Sequence, residues 1–240
     1  MTTNPFSLWV YLSQSPLLWL TVTLVVYAAT DAISLRTRRH PLANPVLHAM
    51  WIIGAFLLLT GTPYTAYFAG AQFVHFLLGP ATVALAVPLY QHRRLVTQAI
   101  LPMLAALAVG SVTAIVSVVW LAEAFGLPRE VVLSLAPKSV TAGVAMGISE
   151  SLRADPSLTA VAVVLTGIMG AIIVTPLMDR TGIRDFRARG FAAGLAAHGI
   201  GTARAFQVDQ LAGTFSGIAM GLNALVTSFI VPLVITLLVR

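Results

Sequence analysis

Long hydrophobic runs separated by short polar clusters set the plan of this chain. Apolar residues fill 16–34 up to the basic cluster Arg36, Arg38 and Arg39, then Pro45 to Gly61 ahead of Pro63. Further runs cover Phe73 to Tyr90, which stops at His92-Arg93-Arg94, and Val96 to Leu121. After a polar link, Glu123 to Glu130, four more follow at 131–151, 157–178, 190–208 and 212–239. A helix needs about 20 apolar residues to cross the hydrocarbon core of a bilayer. The pattern therefore predicts an all-α integral membrane protein, a polytopic helical bundle. Trp9, Tyr11, Trp19, Tyr64 and Tyr67 fall near predicted span ends, where amphipathic rings favour the membrane–water interface.

Two of the runs are interrupted. Pro137, in Ala136-Pro137-Lys138-Ser139-Val140-Thr141, removes a backbone donor and disfavours a continuous helix. The stretch His198-Gly199-Ile200-Gly201-Thr202-Ala203-Arg204 places its break at the glycines, which permit unusual backbone angles and close approach to a ligand. The arginines constrain the topology. With the N-terminus outside, the Arg36–Arg39 and Arg93-Arg94 loops are cytoplasmic and Glu123 to Glu130 is external. A full crossing by 131–151 would then place Arg180, Arg184, Arg187 and Arg189 outside, against the basic bias of cytoplasmic loops. A re-entrant hairpin restores them to the inside, as would an extra or missing crossing elsewhere.

In the hairpin version the second half becomes two inverted repeats. Each is an interrupted segment followed by a Gly-rich span with a late proline: 131–178, with Thr175-Pro176-Leu177, and 190–239, with Val231-Pro232-Leu233. Residues 1–240 then form one domain, in which 1–121 are scaffold-like spans and 131–239 carry the two interrupted units. Paired interruptions in inverted repeats are the sequence pointer to a transporter binding site.

Composition agrees. At 58% hydrophobic and 9% charged residues, with mean hydropathy +0.90, the chain is too apolar for a soluble globular domain. The formal net charge of +6 does not call for a nucleic acid, because the arginines sit in short loops beside spans; the expected surroundings are the lipid bilayer. Absence of cysteine excludes disulfides and thiolate chemistry. The five histidines show no i, i+4 pair, so no metal is expected. The glycines lack the strand context of a dinucleotide fingerprint, so no cofactor is expected either. No nucleophile–base pair stands out, which argues against an enzyme. The N-terminus lacks a signal-peptide pattern, and the first span reads as retained.

Lys138 is the only lysine in the chain and lies in a run that reads as membrane-buried. Such cations cost several kcal/mol and face a partner, cavity or pathway. Two half-helix N-termini, flanked by Lys138 and Arg204, make a cradle for a small anion, and the planar guanidinium suits a carboxylate. Ser139, Thr141 and Thr202 would add hydroxyls, Gly199 and Gly201 backbone N–H groups, and His198 and Asn223 further polar contacts. Each has a plainer role. Lys138 can snorkel to an interface, and Arg204 can be an interfacial arginine paired with Asp209. His198 can be a hydrogen-bonded core histidine or a proton carrier. Asn223 can hydrogen-bond between helices. Glu150 reads as a boundary charge and as the nearest acidic candidate for proton coupling. Gln72 and His75 suit an interface.

The blocks Pro137-Lys138-Ser139-Val140-Thr141, Leu165-Thr166-Gly167-Ile168, His198 to Ala205 and Phe215 to Asn223 resemble the LrgB/CidB family, as does Phe76 to Tyr90. The resemblance covers about residues 20–239. It departs at Ala142-Gly143, where many relatives carry a bulkier or proline-containing continuation. The resemblance implies two roles. Bacterial members are described as antiholin-like proteins that influence murein hydrolase export and autolysis beside a smaller LrgA/CidA-type membrane partner. The plant relative is a plastidial glycolate/glycerate translocator, so the implied substrates are small hydroxycarboxylates. Together these give a multi-pass carrier of small carboxylates in the bacterial cytoplasmic membrane, assembled as a homodimer, with the antiholin-like regulator as the alternative.

Overall fold

The computed structural model describes residues 13–238, and within them the chain is helical without strands. The helices are α1 Pro16–Arg36, α2 Pro45–Thr60, α3 Tyr64–Phe76, α4 Leu78–Ala84, α5 Ala86–Gln91 and α6 Arg93–Gln98. They continue as α7 Ile100–Ala124, α8 Arg129–Leu135, α9 Ala142–Ser151, α10 Pro156–Arg180, α11 Phe186–Val208 and α12 Gln210–Leu238. Among the described residues five helical stretches are long and apolar enough to cross a membrane. Their outer faces carry bare apolar side chains, as lipid contact requires, and so does α2, where Leu58 and Leu59 are 85% and 87% exposed. Trp9, Tyr11 and the last residue of the final predicted span, Val239, lie outside the described residues.

The chain divides into two compact units, 1–86 and 87–240. In the first, α1 packs on α2 and α3. Gly70 of α3 lies against Pro16 and Trp19, where an added Cβ would collide with backbone. Trp19 is wholly buried, edge-on to Phe56 and Tyr67, so it serves as core rather than as an interfacial ring. The third span begins at Tyr64 rather than Phe73. Pro63 caps it from outside, and the Tyr67 hydroxyl is satisfied by accepting from Thr23 Oγ1 at 3.3 Å. Single-residue breaks at Leu77 and Leu85 divide this span into α3, α4 and α5, around the Gly79-Pro80 pair and ahead of Pro88.

The second unit holds α7 together with everything after it. The first interrupted segment is α8, a turn at 136–141, and α9. Its two ends return to one place. Thr159 Oγ1, one turn into α10, bonds to Ser134 O at 2.9 Å and to Ser149 Oγ at 2.8 Å, while Asp155 N donates to Ser134 Oγ at 3.0 Å. A continuous helix rises about 1.5 Å per residue, which would hold residues 134 and 149 more than ~20 Å apart. The segment is therefore a re-entrant hairpin, hairpin 1, with its mouth at the start of α10 and its tip at Pro137 to Val140.

The second interrupted segment, α11, is also a hairpin. Ala197 (φ −131°) and His198 (φ 40°) leave helical geometry. The chain then doubles back so closely that a Cβ on Gly201 would lie 2.5 Å from Ala193 O. The first arm runs parallel to α12, Gly190 on Ala212 and Gly194 on Ser216. The second arm runs antiparallel to it, Thr202 bonding Ser216 and Gly213 abutting Phe206. Its mouth lies at the other end of α10, where Arg189 bonds Asp179 at 2.7 Å. Hairpin 1 and α10, then hairpin 2 and α12, thus enter from opposite ends as an inverted pair.

The second break sits one residue earlier than the glycines suggest. His198 itself takes a positive φ, and Gly201 is helical and serves close packing. Gly190 and Gly194 extend this close approach as a GxxxG face against the α12 backbone.

Candidate functional site

The two tips meet on the middle of α12 through one side chain. Asn223 is 1% exposed, and its Nδ2 donates to Ser139 O of hairpin 1 at 3.2 Å and to Leu195 O of hairpin 2 at 3.0 Å. Carbonyls only accept, so the amide nitrogen must face them. Its Oδ1 accepts from Ser111 of α7 at 2.8 Å and from Thr227 at 3.1 Å. Asn223 thus ties three elements together and fills its hydrogen-bonding capacity.

Around that knot, hairpin 1 presents open chemistry. Lys138 stands in the tip turn, half-buried, and its ammonium makes no ion pair or hydrogen bond with another described residue. Beside it Ser139 is 3% exposed, and its Oγ has no partner. A buried hydroxyl without a partner costs about 1–3 kcal/mol, which asks for a ligand. Thr141 starts α9 at its N-cap without a side-chain cap bond, so its hydroxyl is uncommitted. The N-terminal N–H groups of α9 point to this level, and their dipole favours negative charge.

Hairpin 2 presents committed chemistry. His198 is 4% exposed, and its Nε2 donates to Val163 O of α10 at 2.9 Å. The ring fits because residue 167 is glycine; a Cβ there would lie 2.6 Å from His198 Cε1. Thr202 Oγ1 donates to His198 O at 2.8 Å and pairs with Ser216 Oγ at 2.9 Å, fastening the second arm. A Cβ on Gly199 would lie 3.9 Å from Met220 Sδ, one turn of α12 from Asn223. The second arm begins at Gly199 and supplies the other half-helix N-terminus, opposed to that of α9.

Two sequence candidates lie away from the tips. Arg204 is six residues along the returning arm and lines a small cavity of ≈ 20 Å³ with Val174, Phe186, Arg189 and Val208 at the mouth of hairpin 2. The residues of hairpin 1 take no part in that cavity. Asp209 caps α12 by accepting from Leu211 N at 2.8 Å. Glu150 is exposed near the mouth of hairpin 1. Outside the membrane segments, forked hydrogen bonds from Arg187 hold the Asp185 carboxyl below its ordinary range, against a smaller opposing effect of burial. Among the described residues no group of three or more His, Asp or Glu is placed to hold a metal ion.

Sequence reasoning missed Ser111, Leu195 and Val163, which hold the tips. Ser111, a hydroxyl in the middle of a span, is the one visible signal.

The architecture is that of a multi-pass helical membrane protein built around two opposed re-entrant hairpins. Residues 23–237 match the LrgB-like family, to which the chain belongs. It is 36% identical over 218 residues to the uncharacterized protein YxaC of Bacillus subtilis, covering 90% of this chain and 95% of that one. It is 31% identical to the holin-like protein CidB of Staphylococcus epidermidis and 30% identical to that of Staphylococcus aureus, covering 92% of this chain and 96% of each relative. No solved structure matches the chain.

Proposed function

We propose that this chain is a secondary carrier of small monocarboxylates such as glycolate, glycerate, pyruvate or lactate, working by alternating access in the bacterial cytoplasmic membrane. The observation that carries the reading is the junction at Asn223. Two hairpins from opposite ends of the membrane meet there, beside a lysine and a buried serine hydroxyl that lack partners. Lys138 neutralises the carboxylate as a point charge. Ser139 Oγ, Thr141 Oγ1 and the first N–H groups of α9 donate to its oxygens, and the opposed N-terminus at Gly199 closes the other side. Each hairpin gates its own end. The positive-inside rule assigns the mouth of hairpin 2 to the cytoplasm, because Arg93, Arg94, Arg180, Arg184, Arg187 and Arg189 gather at that end. Proton coupling falls to His198 or to Glu150, and the carrier assembles as a homodimer.

The relatives named holin-like protein CidB favour a second reading. In it the chain is an antiholin-like regulator of murein hydrolase activity and autolysis, acting with an LrgA/CidA-type membrane partner. Helix surfaces would then carry the function, and Lys138 would be dispensable.

Purified protein in liposomes separates the two. The carrier predicts saturable uptake of labelled glycolate or pyruvate that Lys138→Ala abolishes and Ser139→Ala weakens, with the fold unchanged by circular dichroism. Absence of uptake of every monocarboxylate tried, together with an autolysis phenotype that survives Lys138→Ala, would establish the regulator instead.

A further inference from the structure

A pocket of ≈ 520 Å³ opens between the start of α7 and the first arm of hairpin 2. Its rim carries Gln98, Asp185 and Arg187, and its apolar wall includes Met103, Phe191 and Phe215. Its inner end is set by Ala106, about a quarter of the way along α7, and by Leu195, three residues before the break at His198.

Leu195 joins this pocket to the junction of the tips in two ways. Its carbonyl accepts from Asn223 Nδ2 at 3.0 Å, the same nitrogen that donates to Ser139 O at 3.2 Å. Its side chain rests on α7 at Gly110, where even a methyl group would overlap Leu195 Cδ2. Gly110 is one residue from Ser111, which also bonds Asn223. Leu195 therefore touches both the wide pocket and the Asn223 junction that holds the tip carrying Lys138 and Ser139.

We propose that this pocket is the vestibule of the carboxylate site on the arginine-rich side, and that Leu195, seated on Gly110 and held through its carbonyl by Asn223, is the gate between them. The identity of the site rests on the carrier reading; the vestibule and the gate are read by labelling, without transport. The rim suits an anion in transit. Arg187 attracts it, yet shares its guanidinium with Asp185 and so does not trap it. The wall below offers no hydrogen bond at which a carboxylate would stop. To pass, the Leu195 side chain must leave its seat, and a movement of hairpin 2 that carries it away also draws its carbonyl from Asn223 and frees hairpin 2 from hairpin 1. The Leu195 seat would thus couple opening of the vestibule to release of the tips.

The chain has no cysteine, so introduced thiols are unique. Single variants Ala192→Cys, on the vestibule wall, and Ser139→Cys, behind the gate, are placed in sealed membrane vesicles and exposed to a charged, membrane-impermeant methanethiosulfonate on either side. The expected result is rapid labelling of Ala192→Cys from the arginine-rich side only. Ser139→Cys should label slowly from that side, and about tenfold or more faster when Leu195→Ala is added, as a shifted gate equilibrium requires. Where Leu195→Ala does not fold, Gly110→Ala displaces the same side chain and must act in the same direction. Labelling of Ala192→Cys by a membrane-soluble maleimide but not by the charged reagent would make the pocket a lipid-facing groove and overturn the proposal. So would a Ser139→Cys rate indifferent to both gate variants. Absence of uptake by the unsubstituted protein, with this labelling pattern intact, would overturn the carrier reading alone.

Discussion

Replacing Asn223 by alanine should cost this fold more than any other single polar change at its centre. The substitution deletes four hydrogen bonds of 2.8 to 3.2 Å, to Ser139 O, Leu195 O, Ser111 and Thr227. Side-chain hydrogen bonds in membranes average about 0.6 kcal/mol and reach about 1.7. Four of them give about 2.4 kcal/mol, and the Leu195 carbonyl, stranded near a helix break, adds part of the ~1–3 kcal/mol of an unsatisfied buried group. The expected loss is about 2–4 kcal/mol. Reversible unfolding in mixed micelles by SDS titration, followed by tryptophan fluorescence, measures it.

Asn223→Asp sharpens the test, because it keeps the volume but turns both donors into acceptors against two carbonyls. Hydrogen bonding as the cause predicts that Asp is worse than Ala. Packing as the cause predicts the reverse. A cycle of Asn223→Ala with Ser111→Ala should return a coupling of roughly 0.6–1.7 kcal/mol, since the two side chains share one bond. A loss under about 0.5 kcal/mol for Asn223→Ala, with Asp milder than Ala, would refute the hydrogen-bonded junction.

Gly194→Ala should destabilise by about 1–3 kcal/mol, because its Cβ meets the Ser216 backbone rather than a side chain that can yield. Gly143→Ala on hairpin 1 meets nothing within 4 Å and should leave stability unchanged or raise it by up to about 1 kcal/mol, measured by the same titration. Asp185→Asn keeps the N-cap acceptor of α11 but removes the charge that Arg187 grips. The folded carboxyl titrates below its ordinary ~3.9, so its contribution is present above that value and is lost as pH falls through the folded one. Wild type should therefore melt slightly above the variant at neutral pH, and the gap should close in acid; exposure keeps it small.

What hydrophobicity and proline control locally is legible in the sequence. Pro137 and the polar run after it mark the first break because a missing donor acts where it sits. Gly199 and Gly201 point to a second break at the glycines, but the structure puts it at Ala197 and His198. The φ of 40° at His198 is held by its bond to Val163, 35 residues away, and by the room left at Gly167. No local pattern announces such a tertiary cause. Trp19 resembles an interfacial ring because its place near a span end is visible in the sequence, while its packing on Phe56 and Tyr67 is not. Ile100–Ala124, grouped by sequence with the first-half spans, packs in the second unit, where Met103, Leu107, Ile115 and Val119 join its core and Ser111 bonds Asn223. Lys138 and Arg204 hold analogous places in the two repeats, yet a hairpin carries each later residue back toward its mouth. Six residues past the tip, Arg204 has left the junction.

That asymmetry bears on how the two halves divide their work. Two opposed hairpins of equal construction would each offer a charged tip, and a small anion would sit between two cations. Here the tip of hairpin 1 keeps polar groups uncommitted, with no partner among the described residues for the Lys138 ammonium and none for Ser139 Oγ. Hairpin 2 commits its own within the protein: His198 to Val163, Thr202 to His198 and Ser216. A tip whose hydrogen bonds are all internal moves as a rigid piece, because deforming it would strand buried polar groups. A tip with unpartnered groups binds, because a ligand offsets a cost already present in the empty state. On the carrier reading, the satisfied hydrogen bonds assign binding to the tip of hairpin 1 and leave hairpin 2 to gate its end as a rigid piece. Asn223, bonded to both tips through one nitrogen, is where the two roles become coupled.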